Sequence, residues 1–285
     1  MVEARKIKHV LETKPTTEGA GVHLHRAFGY NEVPLLDPFL LLDDFSSSSP
    51  SEYLPGFPWH PHRGIETVTY MLHGEVKHGD SIGSSGLIEG GDVQWMTAGS
   101  GIIHSEMPQE GDGSLAGFQL WANLPASQKM IPPRYQDVKG SEIPAICLDN
   151  SVKIRVVCGE VEGTRGPVGD IVIDPEYIDV TIPRQTIFKH PVKQGYKVFA
   201  YVFEGEGYFD LEKKNLFHSG QLVIFDDGDG VEITGGDRDV RFLLISGKPI
   251  GEPVAWYGPI VMNTGKELRV AFKEYQDGTF IKHKK

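Results

Sequence analysis

Two tripeptides hold the side chains best suited to chemistry. His60-Pro61-His62 and His104-Ser105-Glu106 each place two donor groups two residues apart. In extended chain, residues i and i+2 face the same side. Each tripeptide therefore offers a pair of ligating groups on one face. Two such pairs on neighbouring strands converge as three imidazoles and one carboxylate. That set suits a borderline divalent ion: iron, manganese, nickel, cobalt, copper or zinc. Four protein ligands on a six-coordinate ion leave two positions for water, dioxygen or a chelating substrate. His23-Leu24-His25 has the same spacing but no acidic partner motif nearby, and reads as a structural or surface pair.

The elements that must position these residues are strands. Thr67–Leu72, Gly91–Met96, Gly117–Leu124, Lys153–Cys158, Tyr177–Ile182, Tyr196–Phe203, Gln221–Phe225 and Val240–Ser246 all read as strands. Turn residues separate them, in keeping with 34 glycines and 19 prolines. The pattern is that of an all-β sandwich or barrel. Helical periodicity is weak, with a short helix expected at Glu267–Tyr275.

The chain also repeats itself. GIETVTYMLHGE at 64–75 is matched by GYKVFAYVFEGE at 195–206, and GDVQWMTAGSG at 91–101 by GQLVIFDDGDG at 220–230. The offsets are 131 and 129 residues. Two tandem β units follow, with a boundary between Pro125 and Ile154; we place it after Tyr135, giving domains 1–135 and 136–285. Ile131–Asp137 is the expected linker. Under those offsets His60 and His62 correspond to Pro191 and Lys193, and His104 and Glu106 to Ile233 and Gly235. His190 falls one residue out of register. One metal site is therefore expected, in the N-terminal unit.

Composition narrows the partners. The 285 residues carry 28 Lys plus Arg against 39 Asp plus Glu, a formal charge of −11. That balance argues against direct binding of nucleic acid through phosphates. No apolar run is long enough to span a membrane. The first fourteen residues are charged throughout, so secretion is not expected. The only cysteines, Cys147 and Cys158, make no disulfide framework and fit a reducing compartment. A cytoplasmic location is expected, with the nucleus as an alternative in a eukaryote.

The motifs resemble the pirin family of the cupin superfamily. His60–Tyr70 is similar to the first cupin motif and Gly91–Glu106 to the second, without the proline that usually precedes Gly-x-x-His. Leu36–Phe45, Leu120–Pro125 and Phe272–Gly278 also look pirin-like. The resemblance covers nearly the whole chain and is most specific over 36–125. It implies two cupin (double-stranded β-helix, jelly-roll) domains packed face to face. It implies one metal, Fe(II) first, held by His60, His62, His104 and Glu106. In many cupins the ligand would be the motif-one glutamate, here Glu66; the pirin pattern gives that role to Glu106. Some pirins resemble flavonol dioxygenases, which implies ring opening of quercetin with O2 and Glu106 as the catalytic base. The resemblance also supports a second reading: an iron-containing redox sensor that binds a transcription factor or enzyme. A third is a cupin acting on sugars or small carbonyl compounds. A monomer is expected.

Several further residues deserve a place in the structure. Gln119, Trp121 and Asn123 alternate on one strand face and line the metal pocket or simply a half-buried sheet. Asp43 and Asp44 either reach a ligand histidine or end a strand in a turn. Asp226-Asp227-Gly228-Asp229-Gly230 looks like a calcium loop but lacks the full pattern, and reads as a solvated turn.

Overall fold

The computed structural model describes residues 4–283. The chain divides into two compact units. The larger comprises Pro15–Ser141 and Ile250–Lys285; the smaller comprises Met1–Lys14 and Glu142–Pro249. This differs from a tandem cut at 135/136 because each terminal segment joins the other unit. The cause is strand pairing: β1 (Ile7–Glu12) pairs antiparallel with a strand near residue 223, and sequence periodicity does not record which distant edge a strand joins.

The larger unit is built from β2 (Lys14–Glu18), β3 (Val22–Phe28), β4 (Phe39–Asp44), β5 (Phe57–His62), β6 (Ile65–His73), β7 (Glu75–Asp80), β8 (Ser85–Glu89), β9 (Val93–Thr97), β10 (Ile102–Pro108), β11 (Ala116–Asn123) and β12 (Arg134–Val138). They form a seven-stranded sheet in the order β12-β9-β6-β11-β4-β3-β2 and a four-stranded sheet in the order β5-β10-β7-β8. The expected linker is therefore an edge strand, since Arg134 to Val138 pair with Thr97 to Val93. Core residues include Leu24, Phe45, Tyr53 and Met71 in one cluster and Leu40, Ile65, Met96 and Ile102 in another.

The smaller unit contains β1, β13 (Ala145–Cys147), β14 (Lys153–Cys158), β15 (Glu160–Val161), β16 (Thr164–Arg165), β17 (Glu176–Ile182), β18 (Ile187–Pro191), β19 (Lys197–Tyr208), β20 (Leu216–His218), β21 (Gln221–Phe225) and β22 (Gly230–Gly247). The alternating buried residues of β14, β17, β19 and β22 supply its core.

The repeat is visible in the ladders. Tyr70 opposes Val93 between β6 and β9, and Tyr201 opposes Leu222 between β19 and β21. The two offsets read from the sequence carry the first pair onto the second. Both units are cupin domains, as expected.

After residue 250 the chain adds β23 (Ala255–Tyr257), β24 (Ile260–Met262) and a helix over Gly265–Gln276 to the larger unit. Thr264 starts that helix: its Oγ accepts from the Glu267 amide, and Glu267 reaches back to Thr264. This is a capping arrangement with a physical reason to begin there.

Candidate metal centre

β5 and β10 pair antiparallel, with His104 opposite His60 and Ile102 opposite His62. The register slips between His104 and Glu106, which then faces Phe57. The extra residue lies in β5, where Pro58 and Pro61 also sit. A bulge and prolines are tolerated there because β5 is an edge strand. The two tripeptides thus lie side by side.

The three imidazoles cluster tightly. One donor nitrogen from each of His60, His62 and His104 lies within 4.8 Å of the others. His60 Nδ1 contacts the Pro58 carbonyl at 2.7 Å, and His62 Nδ1 contacts the Pro259 carbonyl at 3.1 Å. A carbonyl only accepts, so each Nδ1 carries the proton, and in the neutral ring each Nε2 then presents a lone pair. Those two Nε2 atoms are 3.0 Å apart. Two bare lone pairs at that separation repel unless a cation lies between them. Two ligands bonded at about 2.1 Å and at right angles to one ion would be about 3 Å apart, which is the spacing found.

His104 is 1% exposed, and neither ring nitrogen has a hydrogen-bond partner. Burying such atoms costs free energy unless something fills the position. Glu106 Oε2 lies 4.0 Å from His104 Nε2, and Oε1 accepts from Thr69 Oγ at 3.1 Å. No Lys or Arg pairs with Glu106 among the described residues. Burial raises its pKa above the usual carboxylate value. Burial, and then the neighbouring histidines, holds His62 and His104 well below the ordinary imidazole value. Three imidazole nitrogens within 4.8 Å of one another, with a buried carboxylate 4.0 Å from one of them, are a donor set that fits a divalent cation.

Glu66 is excluded from this cluster. It accepts from Thr97 Oγ at 2.6 Å and Trp95 Nε1 at 3.2 Å. On β6, Glu66 and Thr69 are three residues apart and so face opposite sides of the sheet. Thr69 takes the side of the histidines.

The backbone around the ligands is held at two glycines. Gly64 and Gly99 both have positive φ, and a Cβ on either would collide with the Val261 or Ile131 carbonyl. The Gly64 amide donates to the Gly99 carbonyl at 2.8 Å, joining the two motifs.

Residues after 250 finish the site. Val261 bonds to the Arg63 carbonyl, and Arg63 donates to Glu274 and to the Phe280 carbonyl while stacking on the Phe280 ring. Buried Lys129 donates to the carbonyls of Gly64 and Val261 and to Asn123. These contacts hold the Pro259 carbonyl against His62.

A cavity of about 680 Å³ opens beside the cluster. His60, His62 and Glu106 line one part, with Phe45, Phe57, Trp59, Trp121 and Trp256 along the walls. Trp121 meets the His62 ring edge-on at a centroid distance of 5.0 Å.

Gln119 and Trp121 thus line the cavity, and Asn123 instead receives Lys129. Asp43 does not hold a histidine; it pairs with Arg26 through two 2.8 Å bonds. The ion pair and burial act oppositely on Asp43: burial moves it up to about 6, while Arg26 is raised by the pair. The two-pronged geometry favours the ionised pair at neutral pH. Asp44 accepts from the Ser46 amide in a turn.

Sequence reasoning missed Thr69, Lys129, Arg63, Pro259 and His78. His78 lies opposite Glu106 on β7 and is buried. Each is tied to the site by a contact distant in sequence, so no local spacing marks it.

His23 and His25 are exposed on β3, and neither Cys147 nor Cys158 forms a disulfide. Asp227 of the acidic turn accepts from the amides of Gly195 and Gly228. Gly79-Asp80-Ser81-Ile82-Gly83 has the Gly-x-Ser-x-Gly spacing of a nucleophile elbow. It forms the β7–β8 turn, where Ser81 Oγ accepts from the Ile103 amide, and no helix follows it.

In the smaller unit Ile233 opposes Phe188 and Val231 opposes His190. His62 therefore corresponds to His190, not Lys193, and His60 to Phe188, not Pro191. A longer loop before Gly195 shifts the register. His190 is buried, bonds to Glu176 at 2.6 Å and stacks on Phe188. Among the described residues no second metal-type cluster accompanies it, and no helix is long and apolar enough to cross a membrane.

Comparison with known proteins gives two family matches. Residues 21–122 match the family described as Pirin, and residues 177–281 match the Pirin C-terminal cupin domain. A pirin-like protein of Caulobacter vibrioides is 44% identical over 97% of this chain and 99% of its own length. The structure of a quercetin 2,3-dioxygenase from Acinetobacter baumannii is 32% identical, with a TM-score of 0.90 over 98% of this chain and 99% of that one. A bacterial pirin from Escherichia coli, solved in complex with nickel(II), shares the fold at a TM-score of 0.66 and 21% identity, over 85% of this chain and 99% of that one.

Proposed function

The chain belongs to the pirin family, and from that premise we propose that it is a metal-dependent dioxygenase opening the ring of flavonols such as quercetin with O2. The observation that carries this reading is the cluster of inward-facing imidazole nitrogens beside an aromatic-walled cavity. His60, His62, His104 and Glu106 would hold the ion, Fe(II) first. Manganese, nickel, cobalt, copper or zinc suit the same donors. When bound, the metal supplies Lewis acidity toward the flavonol 3-hydroxyl and a redox partner for dioxygen.

The chain's own residues do the rest. Phe57 and Trp121 present flat apolar faces that orient a planar ring system and keep water from it. Glu106 takes the 3-hydroxyl proton on a carboxylate oxygen. Thr69 Oγ holds the other carboxylate oxygen in place. The ring then opens with release of carbon monoxide.

The test is anaerobic reconstitution with Fe(II), followed by quercetin and then oxygen. Loss of the flavonol absorbance at one metal per chain supports the reading, and its persistence refutes it. Glu106→Gln with full metal occupancy and unchanged turnover would remove the base assignment alone.

One observation favours a regulatory reading. Trp59 is 59% exposed and Tyr257 70% exposed beside the cavity. Exposed aromatic rims also suit a protein partner. Oxidation-state-dependent capture of one partner, with no flavonol turnover, would favour that role.

A further inference from the structure

The cavity has a second polar part, away from the metal ligands. Thr69, Gln119, Asp43 and Arg26 are successive cross-strand partners on β6, β11, β4 and β3. Direct partners project from the same face of a sheet. They make one polar row that starts where Thr69 bonds to Glu106, and Gln119, Asp43 and Arg26 of the row line the cavity. Neighbouring strands are about 4.8 Å apart, so Asp43 lies about 10 Å from Thr69 along the row.

The row ends in a charged group. Arg26 Nε and Nη2 bond to the two Asp43 oxygens at 2.8 Å, and Nη2 meets Glu18 Oε1 at 3.0 Å. Arg26 Nη1 makes no hydrogen bond among the described residues. Asp43 is 5% exposed, and all three residues line the cavity. Two carboxylates against one guanidinium leave a net negative charge. A carboxylate or phosphate is repelled there. A neutral hydroxyl is welcome, because it can donate to a carboxylate and accept from Nη1.

We infer that Glu18, Arg26 and Asp43 form a second recognition site, which reads a phenolic hydroxyl at the end of a planar aromatic ligand anchored at the metal. The aromatic walls between the two ends, Phe57 and Trp121 among them, hold the rings. This inference rests on the flavonol reading above and adds to it which flavonols the site selects.

The experiment uses the full chain loaded with Zn(II), so that the ligand binds without turnover. Affinities are measured by absorbance titration for 3-hydroxyflavone, 3,7-dihydroxyflavone and 3,4′-dihydroxyflavone. At least one dihydroxy compound should bind about tenfold more tightly than 3-hydroxyflavone, as expected for a hydrogen bond to charged groups. The double replacement Arg26→Met with Asp43→Leu removes both buried charges together. It should abolish that advantage without weakening 3-hydroxyflavone. Glu18→Gln, at a position whose side chain is 44% exposed, keeps the fold and should lower the advantage about threefold. Equal affinities in the unmodified protein, or an advantage surviving both changes, overturn the inference alone. If 3-hydroxyflavone itself fails to bind, the flavonol reading falls and takes the inference with it.

Discussion

Replacing His104 with leucine should stabilise the metal-free protein and destabilise the metal-loaded one. The ring is 1% exposed, and both nitrogens lack a partner. Each unpartnered buried nitrogen costs about 1 kcal/mol at the low end of the usual range. Imperfect packing of leucine in a space shaped for imidazole takes back about 1 kcal/mol. The metal-free variant is therefore expected to gain about 1 kcal/mol net. With metal the order reverses. An ion at a thousand times its Kd stabilises the unmodified protein by about 4 kcal/mol, and the variant has lost a ligand. The assay is urea unfolding of both proteins, once in chelator and once with excess Zn(II). A metal-free variant more than about 1 kcal/mol less stable than the parent would refute the reasoning, because His104 would then be a packed structural residue. Equal stabilisation of both proteins by the ion would refute it as well.

The remaining predictions concern stoichiometry, pH and the support of the site. Metal analysis should find one tightly held equivalent per chain; two equally tight equivalents would contradict the loss of ligands around His190. His62 and His104 are held well below the ordinary value, whereas unfolded histidine titrates near about 6.5. The unfolded chain thus binds more protons as pH falls below about 6.5, so metal-free stability is full above that pH and drops below it by up to about 1.4 kcal/mol per pH unit for each ring. Urea midpoints across this range check the sign, and His104→Leu should show the shallower slope. Lys129→Met leaves three buried acceptors without their donor and should cost about 3 kcal/mol in urea unfolding. A loss under about 1 kcal/mol would show that the Lys129 contacts do not hold the segment after residue 250.

Much of the site was legible because its signals are local. The i, i+2 spacing of His60, His62, His104 and Glu106 follows from strand alternation alone. The repeat read from the glycine framework reappears in the ladders, where Tyr70 against Val93 and Tyr201 against Leu222 are related by the same two offsets. What failed was extrapolation across loops. The offset that aligns the strands does not survive the longer turn before Gly195, so it matches His62 to Lys193 where the ladder puts His190. Ile131–Asp137 looked like a linker from its prolines, yet its second half pairs as β12.

The sequence by itself determined the donor types, their shared faces and the duplicated strand pattern, because backbone alternation and turn chemistry act over a few residues. Only the tertiary structure decided that the donors meet. It also decided that the Pro259 carbonyl selects the His62 tautomer, that Glu66 turns away, and that Thr69, Gln119, Asp43 and Arg26 form one row. Those outcomes depend on which strands become neighbours and in what register. That choice is set by the packing of the whole unit, and no local spacing encodes it.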